Sequence, residues 1–263
     1  MKDDPSKAIF GVGQGIPSVF LSKVIAQAGA DFVWLDGEHS LWDRSAIYEG
    51  KNIGNCQSVR VPRDDEAFLT AALDAGADGI ILPHTESAEE VKELADKVYY
   101  PPIGKRSFSP WTFAPFVSDH SIYPNDLGNM KTSNNHIALI PQVESIKGIE
   151  NVEEICANPL VDSLLFGPSD FRAELGLSLL PGADLEPVYM KALQKIGKVA
   201  AERKITLIGA AHDPAMLPQV LQMGIRAVVV MFDYWFISKS ISQLVGEGHK
   251  TLAKLINGTK GAK

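Results

Sequence analysis

The chain has 263 residues, 45% of them hydrophobic and 22% charged, and 25 Lys+Arg against 32 Asp+Glu give a net charge of −7. That length buries a sizeable core and suits one α/β barrel, for which about 250 residues is typical. An acidic chain without a long basic block excludes nucleic acid and anionic membranes as expected partners, while a single local arginine still suffices for a small anionic substrate.

Taken in chain order, short apolar runs recur, each followed by a segment of helical period. The predicted strands are Ile9–Val12, Phe32–Leu35, Ser58–Val61, Gly79–Leu82, Ile137–Pro141, Ser163–Phe166, Thr206–Gly209 and Ala227–Met231. They are continuously apolar rather than alternating, as strands covered on both faces should be. Between them lie amphipathic stretches, such as Leu185, Val188, Tyr189, Ala192, Leu193, Ile196, Val199 and Ala200, spaced three and four apart. Ala-Gly-Ala followed by an acid occurs twice, at 28–31 and 75–78, each time where a glycine should stop a helix before a strand. Eight such units predict a single (β/α)8 TIM-barrel domain over residues 1–263. The runner-up, a doubly wound open sheet, would prefer a phosphate-binding first turn, and Gly11-Val12-Gly13-Gln14-Gly15 lacks the required glycine spacing.

Two segments fall outside the repeat. Residues 99–136 carry Pro101, Pro102, Pro110, Pro115 and Pro124 among several aromatics, which predicts a long loop with a lid, subunit-contact or merely decorative role. The last helix, 237–257, gathers Ile237, Ile241, Leu244, Val245, Leu252, Leu255 and Ile256 on one broad face, and is expected to close the barrel or else to pack on a partner subunit. Two cysteines, Cys56 and Cys156, are too few for a disulfide framework or structural zinc. Acids stand where an apolar signal core would begin, in Met1-Lys2-Asp3-Asp4-Pro5, so the expected setting is the cytoplasm.

In such a barrel the reactive groups project from the C-terminal strand ends. Glu144 and Asp170 follow adjacent strands, and two facing acids repel unless they share a proton or a cation. All-oxygen ligands suit Mg²⁺ or Mn²⁺, although each acid would also serve as a helix cap. Arg60, at the third strand end, suits an enolate or carboxylate oxygen, or a salt bridge to a mouth acid. His39 would move protons if oriented by Asp36 or Asp74; alternatively it only bonds backbone, and His84 and His212 read as structural. A Schiff-base aldolase needs a lysine inside the barrel, and no predicted strand has one. The loops after the last two strands are too poor in Gly and Ser for a phosphate site.

Trp34-Leu35-Asp36-Gly37-Glu38-His39, Val59-Arg60-Val61-Pro62, Gln142-Val143-Glu144 and Gly167-Pro168-Ser169-Asp170, in this order, resemble the HpcH/HpaI family of metal-dependent pyruvate aldolases. Trp34 with Gly104–Trp111 is most similar to the macrophomate synthase branch of that family. The resemblance implies that Glu144 and Asp170 bind a divalent metal, Mg²⁺ or Mn²⁺ foremost and Co²⁺ or Zn²⁺ next, which pyruvate or its enolate would chelate. It implies that Arg60 stabilises the enolate oxygen, and that His39 acts as acid and base, supported by Asp36 or Asp74. Gln142 and the Gly167, Pro168 and Ser169 backbone would contact the substrate carboxylate, Trp34 would shape the acceptor pocket, and the 99–136 loop would help form the mouth. The implied assembly is a hexamer, a trimer of dimers exchanging the C-terminal helix. The implied reaction is aldol or retro-aldol chemistry of 4-hydroxy-2-oxo acids, with oxaloacetate decarboxylation. Two alternatives use the same scaffold: enolate addition to a 2-pyrone, and an acyl-CoA lyase, for which no Arg/Lys cluster is evident.

Overall fold

The computed structural model describes residues 7–50, 56–109, 126–179 and 186–260, with backbone alone at 126–129 and 258–260. Eight parallel strands close into one barrel in sequence order: β1 (Ile9–Gln14), β2 (Phe32–Asp36), β3 (Cys56–Arg60), β4 (Gly79–Leu82), β5 (Ala138–Val143), β6 (Ser163–Phe166), β7 (Thr206–Ala210) and β8 (Ile225–Phe232). The helices are α1 (Val19–Gln27), α2 (Arg44–Gly50), α3 (Glu66–Asp74), α4 (Ala88–Val98), α5 (Asp126–His136), α6 (Ile146–Glu150), α7 (Val152–Ile155), α8 (Pro168–Glu174), α9 (Pro187–Arg203), α10 (Leu217–Gln222) and α11 (Asp233–Lys260). None of the described helices is long and apolar enough to cross a membrane.

The apolar runs fill two layers, which is why they do not alternate. Phe32, Trp34, Ile81, Ile140, Leu165, Ile208, Ala227 and Val229 pack inside the barrel. Their strand neighbours, such as Val33, Leu35, Ile80, Leu139, Leu164 and Leu207, pack outward against the helices. The twice-occurring Ala-Gly-Ala-Asp motif performs one task twice. Gly29 and Gly76 take φ of +92° and +88°, a conformation that glycine adopts without steric cost, and end α1 and α3. The acid that follows then clips the next strand to its predecessor. Asp31 accepts from the Phe10 N–H at 2.8 Å, and Asp78 from the Gln57 N–H at 2.7 Å.

Helix starts are likewise legible. Ser18, Asp65 and Ser145 accept the N–H of Leu21, Phe68 and Gly148, and Ser87 with Glu90 forms a reciprocal capping box on α4.

Three features differ from expectation. Asp126–His136 is helical rather than loop. Its sequence contains only Leu127 and Met130 as apolar residues, so it carries no amphipathic pattern to read. The described parts of the 99–136 connection lie at the N-terminal end of the barrel, away from the mouth, because α4 has already run back to the start of β5. There the Tyr99 hydroxyl donates to the Ile137 carbonyl at 3.3 Å, and Asn134 bonds both the N–H and C=O of Tyr100. Pro110, Trp111, Pro115 and Pro124 lie outside the described residues. Finally, α11 does not close the barrel. Asp233 docks its start, accepting the N–H groups of Gly15 and Ile16 at 3.0 Å each, but Trp235, Ile241, Leu244, Leu252 and Leu255 are exposed.

Candidate active site

The C-terminal ends of β2 and β3 supply the first half of the mouth. Asp36 and Arg60 are paired positions of neighbouring strands, so both side chains project to the same side of the sheet. Arg60 Nε donates to Asp36 Oδ1 at 2.8 Å and Nη2 to Oδ2 at 2.7 Å. Both residues are buried, and the guanidinium carbon lies 4.9 Å from the centre of the Trp34 ring. Its outward Nη1 faces Glu38 Oε2 at 3.1 Å. Burial alone would lower the Arg60 pKa; the bond to Asp36 and the charges of Asp36, Glu38 and Glu144 outweigh it and raise the value further. The guanidinium is therefore permanently charged and fixed in plane. The sequence left open whether Arg60 meets a mouth acid or awaits a substrate oxygen; it meets two acids and keeps one end directed outward.

His39 stands on the rim with its side chain 69% exposed. Asp36 does not touch the imidazole. It accepts instead from the backbone N–H of Glu38 at 3.1 Å and of His39 at 3.3 Å, which shapes the turn. The carboxylate nearest the ring is Glu38, 3.7 Å from Nε2. Asp74 is the last residue of α3, at the opposite end of the barrel, where it pairs with Arg106 at 3.0 Å. Within one chain it therefore lies away from His39.

The second half of the mouth comes from β5 and β6. Glu144 directly follows β5 and is only 3% exposed. Its Oε1 accepts the His84 N–H at 2.8 Å, and its Oε2 accepts the Gln142 amide N–H. His84, with φ of +51°, has a left-handed backbone that is uncommon for a residue with a Cβ. Its carbonyl accepts from Arg63, which also pairs with Glu90. The sequence reads His84 as structural and carries no signal for Glu38 or Arg63. His84 donates its backbone N–H to Glu144, with its imidazole Nδ1 3.8 Å from the same carboxylate, and Arg63 reaches the His84 carbonyl; the backbone contacts leave no residue signature.

Gly167 caps α8 without a side-chain bond and Pro168 starts the helix, so Ser169 and Asp170 sit inside its first turn, exposed to solvent. Neither is the helix cap that the sequence allowed. A Cβ on Gly167 would fall 2.2 Å from Glu144 Oε2, so only glycine leaves room for that carboxylate. Burial first, then the charge of Asp170, push the Glu144 carboxyl above its ordinary range, against the lowering effects of the His84 N–H, the Gln142 amide and Arg60.

This environment fits a divalent cation. A buried carboxylate repelled by a second one is relieved by positive charge, and the two together offer hard oxygen donors. Beside them the side-chain amide oxygen of Gln142, Oε1, is buried with no hydrogen-bond partner among the described residues. The described residues contain no cluster of three or more His, Cys, Asp or Glu suited to a metal, so water and substrate would complete the coordination. None of the eight strands contains a lysine, which leaves no imine-forming amine on the barrel wall.

A model of the HpcH/HpaI aldolase/citrate lyase family matches residues 18–238. A hydroxypyruvate/pyruvate aldolase of Paraburkholderia phytofirmans is 28% identical over 250 residues, covering 93% of this chain and 90% of that protein. A 5-keto-4-deoxy-D-glucarate aldolase of Escherichia coli is 30% identical over 190 residues, 71% of each chain. The crystal structure of macrophomate synthase superposes with a TM-score of 0.88 at 41% identity, covering 97% of this chain and 88% of that one.

Proposed function

The chain belongs to the HpcH/HpaI aldolase/citrate lyase family, and from that premise we propose that it is a divalent-metal-dependent carbon–carbon lyase acting on 2-oxo acids through a pyruvate enolate. The observation that carries this reading is the meeting of three groups at one barrel mouth: Arg60 ends β3, the buried Glu144 follows β5, and Asp170 lies in the first turn after β6, with Glu144 feeling the charges of the other two. Glu144 and Asp170 would hold the cation, Mg²⁺ or Mn²⁺ by their oxygen donors, with Co²⁺ and Zn²⁺ as the other candidates. When bound, it supplies a Lewis-acid sink for the electrons left when a bond beside a 2-oxo group breaks.

The remaining work falls to side chains. Asp36 holds the Arg60 plane rigid, so that its outward N–H groups stay aimed at the developing enolate oxygen. His39, exposed at the rim, carries protons to and from the aldehyde oxygen and the pyruvate methyl carbon. Gln142 and the Ser169 N–H at the start of α8 bind the substrate carboxylate, while Gly167 and Pro168 line it without donating, since the Gly167 N–H bonds the Val143 carbonyl at 3.0 Å and proline has none. Trp34 forms the floor beneath Arg60. The uncovered apolar face of α11 supports a homo-oligomer, for which the family resemblance implies a trimer of dimers.

Oxaloacetate decarboxylation tests the reading. Purified protein with Mg²⁺ or Mn²⁺ releases pyruvate, chelator abolishes the release, and metal restores it. Turnover indifferent to chelator would remove the metal from the account.

A second reading adds the oxaloacetate-derived enolate to a 2-pyrone. It is favoured by the 41% identity to macrophomate synthase over 97% of this chain. Consumption of a 2-pyrone together with oxaloacetate distinguishes it from simple aldol chemistry.

A further inference from the structure

Glu38 has no role in the mechanism above, yet it lies between the two groups that do most of the work. Asp36 is fully committed. One oxygen accepts from Arg60 Nε and from two backbone N–H groups, and the other accepts from Arg60 Nη2. Glu38 is not committed in this way. Its side chain is 24% exposed, and Oε2 stands 3.1 Å from Arg60 Nη1 and 3.7 Å from His39 Nε2. With Nε and one N–H of Nη2 given to Asp36 and one guanidinium face against Trp34, the end formed by Nη1 and the second N–H of Nη2 is left to meet an incoming oxyanion, and Nη1 is the part of it nearest Glu38. Glu38 occupies that end.

We propose that Glu38 is a positioning residue that competes with the substrate oxygen for Arg60 Nη1 and, once displaced, turns to His39 Nε2 and orients the imidazole for proton transfer. The proposal rests on the enolate reading given above. Two anions held side by side at the Nη1 end of one guanidinium repel each other at close range, so binding of the substrate oxygen there drives the glutamate away. The glutamate has room to move because it is partly exposed, and its displaced carboxylate is already within a side-chain rotation of the ring. The arrangement links occupancy of the arginine to alignment of the acid–base group.

The test compares wild type, Glu38→Gln and Glu38→Asp. Oxalate, a planar dianion of enolate shape, serves as probe, titrated calorimetrically against the Mg²⁺-loaded protein. Glu38→Gln should bind oxalate about two- to fivefold more tightly, the weight of a partly exposed ion pair. Glu38→Asp keeps the charge but is one methylene shorter, and should tighten binding as well, which separates contact from mere charge. In pyruvate methyl-proton exchange both variants should show a lower KM together with a kcat reduced at least about tenfold, because an unoriented base transfers protons poorly. The ¹⁵N spectrum of the His39 ring in the presence of oxalate should differ between wild type and each variant. Unchanged oxalate affinity with an unchanged ring spectrum would overturn the proposal. Absence of exchange in wild type would overturn the enolate reading instead, and the oxalate and ring measurements would still decide the role of Glu38.

Discussion

Arg60 and Asp36 form a two-bond fork, Nε to Oδ1 at 2.8 Å and Nη2 to Oδ2 at 2.7 Å, between paired positions of adjacent strands. Both side chains are shielded from water, so the pair sets the electrostatics of the mouth and carries a structural load as well. Removing one partner leaves a buried charge uncompensated. Asp36→Ala should lower unfolding stability by about 3–5 kcal/mol, and Asp36→Ala with Arg60→Met should recover part of that loss. Denaturant unfolding of the metal-free protein checks both, and additive losses would show that the pair is not coupled.

Lysine cannot reproduce the fork. Arg60→Lys should leave the barrel folded but reduce kcat by about 10²–10³-fold, the usual cost of one lost oxyanion donor. Circular dichroism and steady-state kinetics on the same sample separate the two effects. A variant with near-normal kcat would show that a point charge suffices.

Gly167→Ala tests the packing behind the metal site. The added methyl would fall 2.2 Å from Glu144 Oε2 and 2.6 Å from Glu144 Cβ, so the carboxylate must move. Affinity for Mn²⁺, followed by electron paramagnetic resonance, should fall about 10–100-fold, as when other supports of metal ligands are removed. The far-ultraviolet circular dichroism should be unchanged. Retained affinity would mean that Glu144 is not a ligand.

The Glu144 carboxyl, raised above its ordinary value of 4.5 by burial and by Asp170, gives a pH signature. A raised carboxyl holds its proton more tightly in the folded chain than in the unfolded one. Its contribution to the metal-free fold is thus fully present below the unfolded value and is lost as pH rises through the folded one. The same proton competes with a cation. Metal affinity should therefore fall with acidification at a higher pH than an ordinary carboxylate would require, and metal uptake should release protons. The gap in thermal midpoint between Mg²⁺-loaded and chelated protein should widen as pH rises above 4.5 through the raised value. A gap independent of pH would separate Glu144 from the cation.

The two thiols test the barrel independently of its chemistry. Cys56 is exposed at the start of β3, whereas Cys156 is buried and its pKa is pushed up to about 12 by burial, against a lowering influence of Arg203. In native buffer a thiol reagent should modify Cys56 within minutes and Cys156 only on unfolding. Modification of Cys156 at the rate of Cys56 would contradict the packing around α7.

How much of this was legible in the sequence follows from which forces leave a residue signature. The eight strands were legible because burial on both faces demands unbroken apolar runs, as in Gly79–Leu82 and Ser163–Phe166. Glu144, Asp170 and Arg60 were legible as polar residues ending such runs. Helix α5 was hidden by its polar composition, and its described anchor is the pairing of Asn134 with the Tyr100 backbone. The position of Asp74 depends on the direction of α3, which sequence proximity to a strand does not convey. The shorter contact of His84 with Glu144 runs through a backbone N–H at 2.8 Å, with the imidazole Nδ1 farther off at 3.8 Å, so the identity of the residue said little about the closer one.

The most direct measurement is exchange of the pyruvate methyl protons with deuterated solvent, followed by proton NMR, with Mg²⁺ or Mn²⁺ and with chelator. It reads enolate formation alone, whatever electrophile the enzyme uses. Wild type with metal should exchange, chelator should stop it, and Arg60→Ala should be at least about a hundredfold slower. Metal-loaded wild type that leaves the methyl signal intact, or exchange indifferent to both chelator and Arg60→Ala, would contradict an enolate held between Arg60 and a cation on Glu144 and Asp170.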